Sequence, residues 1–192
     1  MSRYLIAVGG APLHGKTTIA KRLSRELGFY HKDVDELRVD VFGYANLQPP
    51  NRSLVDLRPL HTDKRERLSQ DYMLEGMVRG FLEAGESIII SAMLASMAQL
   101  GRLRETAERN NAHFKLIHCF PLNMTREEVE RRIADSPPFG TAYNVRQPVT
   151  WEQYLWARDQ METWTLPHLI LDTMRPLEEC IKRALAYISM FL

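Results

Sequence analysis

Gly10-Ala11-Pro12-Leu13-His14-Gly15-Lys16-Thr17-Thr18, preceded by the apolar run Tyr4-Leu5-Ile6-Ala7-Val8, is the stretch on which the reading of this chain turns. It satisfies G-x-x-x-x-G-K-[ST], and it does so with a strand before the loop and a helix after it, the context that gives the pattern a mechanism. The two glycines let the backbone wrap around a phosphate with its N–H groups pointing inward, and the helix opening at Lys16 adds the positive end of its dipole. Gly10 to Thr18 therefore read as a nucleotide-phosphate loop, with Lys16 directed at the β and γ phosphates and the Thr17 hydroxyl at Mg²⁺.

Outward from the loop, short β-rich runs alternate with longer helical patterns, the signature of βαβ units and a parallel sheet covered on both faces. The strands are expected at Tyr4 to Val8, Phe29 to Lys32, Ser87 to Ser91, Phe114 to Phe120 and His168 to Leu171. Lys16 to Leu27 places Ile19, Leu23 and Leu27 on one helical face, and Gly28 closes that helix. Helix starts are marked by the capping pairs Ser96 with Gln99, Thr125 with Glu128 and Thr150 with Gln153, and by Asp63 with Glu66 as an acidic variant. A last helix is expected to begin near Pro176, with Leu177, Ile181, Leu185 and Ile188 as its inner stripe. Two polar, Pro-bearing stretches break the alternation, Gly43 to Thr62 and Asp135 to Gln147. Loops of that length inside a compact domain are candidates for an acceptor region and a lid.

The 192 residues suit a single domain, 1–192, and a composition 45% hydrophobic and 26% charged suits a packed core. Twenty-five basic and 24 acidic residues nearly cancel to +1, which counts against a duplex-binding protein. No apolar run has the length of a spanning helix and no signal-peptide pattern precedes Gly9, so a cytoplasmic protein is expected. Cys119 and Cys180 lie far apart with no CxxC or His-rich neighbourhood and read as reduced packing residues.

A phosphate loop does not choose a reaction. No N-K-x-D guanine motif and no LSGGQ-like signature is present, and the D-x-x-G match at Asp40 to Gly43 precedes the third strand. Ring ATPases append a helical domain, for which no room is expected after Leu192. What remains is a compact phosphotransferase. Gly10-Ala-Pro to Thr18, the pair Asp33 and Asp35, and an arginine-bearing lid resemble the P-loop kinases of the nucleoside-monophosphate-kinase-like group. Within it, the loop followed by Asp35-Glu-Leu-Arg38 is similar to small kinases related to the polynucleotide kinase, zeta-toxin and chloramphenicol phosphotransferase families, and the Asp33-Val34-Asp35 spacing is similar to shikimate and gluconate kinases. The resemblance implies a three-layer α/β/α fold with a five-stranded parallel sheet, and an Asp at the end of strand two that faces the acceptor hydroxyl.

From the residues, strands one and two are expected side by side at the switch point, which sets Asp33 or Asp35 across from the loop. Period-two alternation aims both carboxylates to one side if the strand continues that far. Asp35 is the candidate for taking the acceptor's proton and, with Arg38, for contacting the substrate, while Asp33 is the candidate for reaching Mg²⁺ through water. Both acids also suit the N-terminus of a following helix. Arg126, Arg131 and Arg132 follow strand four and Arg146 follows the Pro-rich stretch. Arg132 and Arg146 are the candidates to meet the transferring phosphoryl group, against the alternative of a solvated helix face. Strand three ends in Ser91 where the resemblance leads one to expect an Asp, which several small-molecule kinases of this class also lack, so Ser91 is either a water-mediated metal contact or a strand end. Trp151, Tyr154, Trp156 and Trp164 read as packing rings ahead of a base platform. The resulting expectation is transfer of a phosphoryl group from ATP with Mg²⁺ to a hydroxyl of a small acceptor. A polynucleotide 5′-hydroxyl kinase and a non-catalytic ATP-binding regulator are the alternatives.

Overall fold

The computed structural model of the chain describes residues 2–37, 64–135 and 150–190. Its strands are β1 (Arg3–Gly9), β2 (Tyr30–Asp33), β3 (Ile88–Ala92), β4 (Ala112–Cys119) and β5 (Leu169–Leu171). Its helices are α1 (Lys16–Leu27), α2 (Lys64–Glu83), α3 (Met97–Arg109), α4 (Arg126–Ala134), α5 (Trp151–Asp159) and α6 (Leu177–Ser189), and residues 34–37 also begin a helix. All five strands are parallel, in the order β2-β3-β1-β4-β5. The expected α/β/α sandwich is present, with every strand within two residues of its expected start.

The strand order corrects one expectation. β1 and β2 are not neighbours, because β3 lies between them. The reason is burial: Ile88, Ile89 and Ile90 are wholly inaccessible to solvent and need cover on both faces and both edges. Tyr30, His31 and Lys32 keep some exposure and suit the edge. In this register Ser91 stands between Val8 of β1 and Asp33 of β2.

Side chains alternate across the sheet. Tyr4, Ile6 and Val8 pack with Ile19 and Leu23 of α1 and Ile181, Ala184 and Ile188 of α6. Leu5 and Ala7 face the other way, onto Leu74, Val78 and Leu82 of α2 and Leu100 and Leu103 of α3. The Ser96, Thr125 and Thr150 hydroxyls accept from the N–H groups of Gln99, Glu128 and Gln153, so three expected caps are formed. Gly28 ends α1 at φ 68°, as the sequence pattern requires. The pair Asp63 and Glu66 cannot be followed, since Asp63 lies outside the described residues. α6 begins beside Pro176, its N-cap, as expected, but Leu177 is 37% exposed. Cys180 and Ala184 join Ile181 and Ile188 on the buried stripe instead. Cys119 and Cys180 are both free and buried, and burial pushes the Cys119 thiol up to about 12. Among the described residues, no helix is long and apolar enough to cross a membrane.

Candidate active site

β1 delivers the chain into the loop at Gly9, where the approach is close on both sides. A Cβ on Gly9 would come within 2.4 Å of the Trp164 ring, and one on Gly10 within 2.4 Å of the Cys119 carbonyl oxygen. Gly10 also holds φ at 147°, a region closed to L side chains. Gly10→Ala is therefore expected to destabilise the protein by about 1–3 kcal/mol through backbone strain and overpacking. Chemical denaturation read by circular dichroism measures it, and a shift below about 0.5 kcal/mol would contradict the geometry, being the size of a neutral surface change. Leu13 sits at φ 64° and Gly15, the N-cap of α1, at φ 77°. Gly15 has no side chain with which to cap the first-turn N–H groups of α1. Pro12 and Leu13 are half-buried, Ala11 is buried and Thr18 is exposed.

His14 is 1% exposed and works as a strut. Its Nδ1 lies 3.0 Å from the Cys119 carbonyl oxygen and its Nε2 lies 3.1 Å from the Tyr154 hydroxyl. A carbonyl only accepts, so Nδ1 carries the proton and Nε2 accepts from Tyr154. Burial, then the Lys16 charge, lowers the His14 pKa to about 3, so the ring stays neutral across the physiological range. A loop residue is thereby tied both to β4 and to α5.

Lys16 Nζ donates to the Ala11 carbonyl oxygen at 2.8 Å. Burial lowers its pKa, with the negative charges of Asp35 and then Asp33 opposing. The Thr17 hydroxyl donates to Asp33 Oδ2 at 2.7 Å, and the Ser91 hydroxyl donates to the same oxygen at 2.7 Å. Asp33 Oδ1 accepts from the Asp35 N–H at 2.9 Å, so Asp33 caps the helix that starts at 34. β2 therefore ends at Asp33, and the two acids differ in setting as well as in direction: Asp33 is 7% exposed and Asp35 is exposed. The strand-wise alternation expected for both carboxylates does not extend to Asp35.

Arg132 reaches the loop. Its Nη1 donates to the Leu13 carbonyl oxygen at 2.7 Å and its Nε to Glu128 Oε1 at 2.6 Å, with a longer contact from Nη2 to the Thr173 carbonyl. Arg131 and then Arg132 hold the Glu128 carboxyl down at about 2. Arg126 and Arg131 instead lie on the outer face of α4, paired with Glu130 and with Glu128 and Asp135. Thr173, from the turn after β5, packs 3.7 Å from the Cβ position of Gly15, and its buried hydroxyl finds no partner among the described residues.

Lys16, Thr17, Asp33 and Arg132 thus converge on one loop. Arg38 and Arg146, the stretch 43–62 and the stretch 136–147 lie outside the described residues. Tyr154 and Trp164 are buried packing rings, Trp164 Nε1 donating to the Leu94 carbonyl at 3.2 Å. The sequence reading overlooked His31, whose Nε2 is 2.9 Å from Ser91 Oγ. Its position two residues before Asp33 on a strand was the available signal.

A protein-family model described as an AAA domain, AAA_33, matches residues 5–162. The chain belongs to that family. The match runs from β1 through the loop, α1 and the Asp33 and Ser91 strand ends to the segment beyond α5. No curated protein matches this AAA_33 chain. Among solved structures it is similar to an unliganded sugar kinase from Janibacter sp. HTCC2649, with 18% identity, TM-score 0.66, and coverage of 99% of this chain and 96% of that one. It is also similar to the APS kinase CysC of Mycobacterium tuberculosis in complex with AMPPNP and APS, with 15% identity, TM-score 0.59, and coverage of 97% and 98%. Kti12 of Chaetomium thermophilum in complex with ADP-AlF3 follows, with 16% identity, TM-score 0.61, and coverage of 96% and 99%. At these identities the likeness shows the fold, and the fold of this AAA_33 chain is that of the P-loop kinases.

Proposed function

We propose that the protein moves the γ-phosphoryl group of ATP, with Mg²⁺, to a hydroxyl of a small-molecule acceptor. The observation that carries this reading is the Thr17 to Asp33 hydrogen bond beside Lys16, with Arg132 on the same loop. Among the described residues no cluster of three or more His, Cys, Asp or Glu side chains forms a cage for a metal. That suits Mg²⁺, which takes one or two protein oxygens and fills its shell with phosphate and water. Thr17 Oγ1 is a hard oxygen donor whose proton, directed at Asp33, leaves the hydroxyl lone pairs for a cation, and Asp33, already accepting from Thr17 and Ser91, would reach that cation through water. Mg²⁺ held there supplies charge neutralisation on the β and γ phosphate oxygens.

The chain's own groups divide the remaining work. Loop N–H groups and the start of α1 cradle the phosphates. Lys16 exchanges the Ala11 carbonyl for phosphate oxygens, and Arg132 offers a planar guanidinium to charge that spreads in the transition state. Asp35, whose charge is the strongest felt by Lys16, accepts the proton of the acceptor hydroxyl as that oxygen bonds to the γ phosphorus and the bond to the bridging β,γ oxygen breaks, releasing ADP.

The test is transfer of labelled γ-phosphate to a panel of sugars, nucleosides, antibiotics and short oligonucleotides, with thermal shift by Mg²⁺ and an unreactive ATP analogue alongside. At 100 times the dissociation constant, the analogue is expected to stabilise the fold by about 2.7 kcal/mol. Absence of any shift at millimolar nucleotide defeats nucleotide binding. A shift with no acceptor labelled above the water-only rate defeats the phosphotransferase reading across that panel.

A further inference from the structure

We propose that His31 and Ser91 are positioning residues for the metal-holding carboxylate, forming a hydrogen-bonded line across β2 and β3 that fixes Asp33 against the Thr17 hydroxyl. The inference rests on the reading of Thr17 and Asp33 as the Mg²⁺ holders. It starts from register: Asp33 and Ser91 are partners on adjacent parallel strands, so their side chains rise side by side from the same face of the sheet. Two carboxylates at such neighbouring positions would repel, and one would be driven toward its protonated form. One carboxylate beside one hydroxyl makes a bond instead, and the Ser91 hydroxyl donates to Asp33 Oδ2 at 2.7 Å.

The line has a direction. Ser91 is wholly buried, so its single proton must find an acceptor inside the protein, and it is aimed at Asp33. With that proton committed, Ser91 Oγ can only accept from His31 Nε2, 2.9 Å away, which assigns the Nε2–H tautomer to His31. His31 shares the face of Asp33 by the two-residue period and reaches diagonally past its own register partner, Ile89. Asp33 then holds three donors: Ser91 and Thr17 on Oδ2 and the Asp35 N–H on Oδ1. Its carboxylate plane cannot turn without breaking these bonds. The phosphate-binding side of the loop, Lys16 and the backbone amides, makes none of them.

The experiment separates metal from nucleotide. Calorimetric titration with an unreactive ATP analogue, in EDTA and in Mg²⁺, measures the gain in affinity that the metal brings. Ser91→Ala and His31→Phe are expected to bind the metal-free analogue like the wild type and to lose about tenfold or more of the Mg²⁺-linked gain, the usual cost of deleting an outer partner of a metal ligand. His31→Gln, which keeps an N–H donor, is expected to recover most of it. Mn²⁺ substituted for Mg²⁺ gives a second readout, an altered paramagnetic resonance line shape in Ser91→Ala alone or together with His31→Phe. Should Ser91→Ala not fold, the two His31 variants carry the test. The proposal is overturned if both removals keep the full metal-linked gain, or if they weaken metal-free and metal-bound affinity equally. A wild type with no metal-linked gain overturns this proposal and the assignment of the metal holders together. A sensitive metal-linked gain in a protein that transfers no phosphate leaves the positioning line standing and removes only the phosphotransferase reading.

Discussion

Lys16→Met is expected to lower phosphoryl transfer by about 10²–10³-fold, the cost of losing one donor to transition-state charge, while raising the melting temperature of the nucleotide-free protein. The two effects have one origin. Lys16 is half-buried, and desolvation lowers its pKa from 10.5, so folding disfavours its charged form despite Asp35, Asp33 and the Ala11 carbonyl. A thioether of similar length removes that burden. The sign with pH follows: between the lowered native pKa and 10.5 the unfolded chain binds more protons at this site, so wild-type stability gains from rising pH there. The stability advantage of the variant should therefore be full below the native pKa and shrink as pH approaches 10.5. Added Mg²⁺ and nucleotide reverse the ranking, because phosphate oxygens add counter-charge directly at the ammonium, beyond what Asp35 and Asp33 supply. Scanning calorimetry at neutral and alkaline pH, with and without nucleotide, reads all three effects. A variant that keeps its turnover, or that nucleotide stabilises as much as the wild type, would remove Lys16 from the proposed chemistry.

Asp35→Asn is expected to lower transfer by about 10²–10⁴-fold, the range for loss of a general base, with nucleotide affinity little changed. The reason lies in which atom of Asp35 supports the site. Asp33 is held by the backbone N–H of residue 35, and that bond survives any change of side chain. An amide of the same shape therefore leaves the metal carboxylate in place while removing the proton acceptor and the charge that Lys16 feels from it. Single-turnover rates measured beside nucleotide affinity distinguish the roles: a base lost from the chemistry lowers the rate and leaves affinity in place. A protein that only binds ATP to gate a partner would be indifferent to the change.

Much of this architecture was legible in residues that act locally. The loop, the Gly28 stop and the Ser96, Thr125 and Thr150 caps each depend on a few consecutive positions, and each is found where the pattern placed it. Strand order was not legible, because it depends on which run can afford an edge: three isoleucines in β3 outcompeted Tyr30-His31-Lys32 for the interior. The same long-range step hid the partnership of Ser91 with Asp33, which are 58 residues apart and meet only through the β2 to β3 register. Arg132 is preferred to Arg126 and Arg131 in the sequence, but what sets it apart is helix face, a matter of how α4 docks, since all three sit among glutamates. Leu177 was misread for a related reason: as the first residue of α6 it is 37% exposed, and the buried stripe begins only at Cys180 and Ile181.

The place of β2 in the sheet has a consequence for how the protein can fail. Four residues long and, among the described residues, paired in the sheet with β3 only, it is the border of a sheet whose centre carries the loop. Partial opening of such borders requires less free energy than global unfolding. A solvent or temperature that lifts β2 would take Asp33 and His31 away together while β1, α1 and Lys16 stay folded. The grip on phosphate and the hold on the cation are thus mounted on parts of unequal durability, and heat or denaturant should blunt metal dependence before it abolishes nucleotide binding.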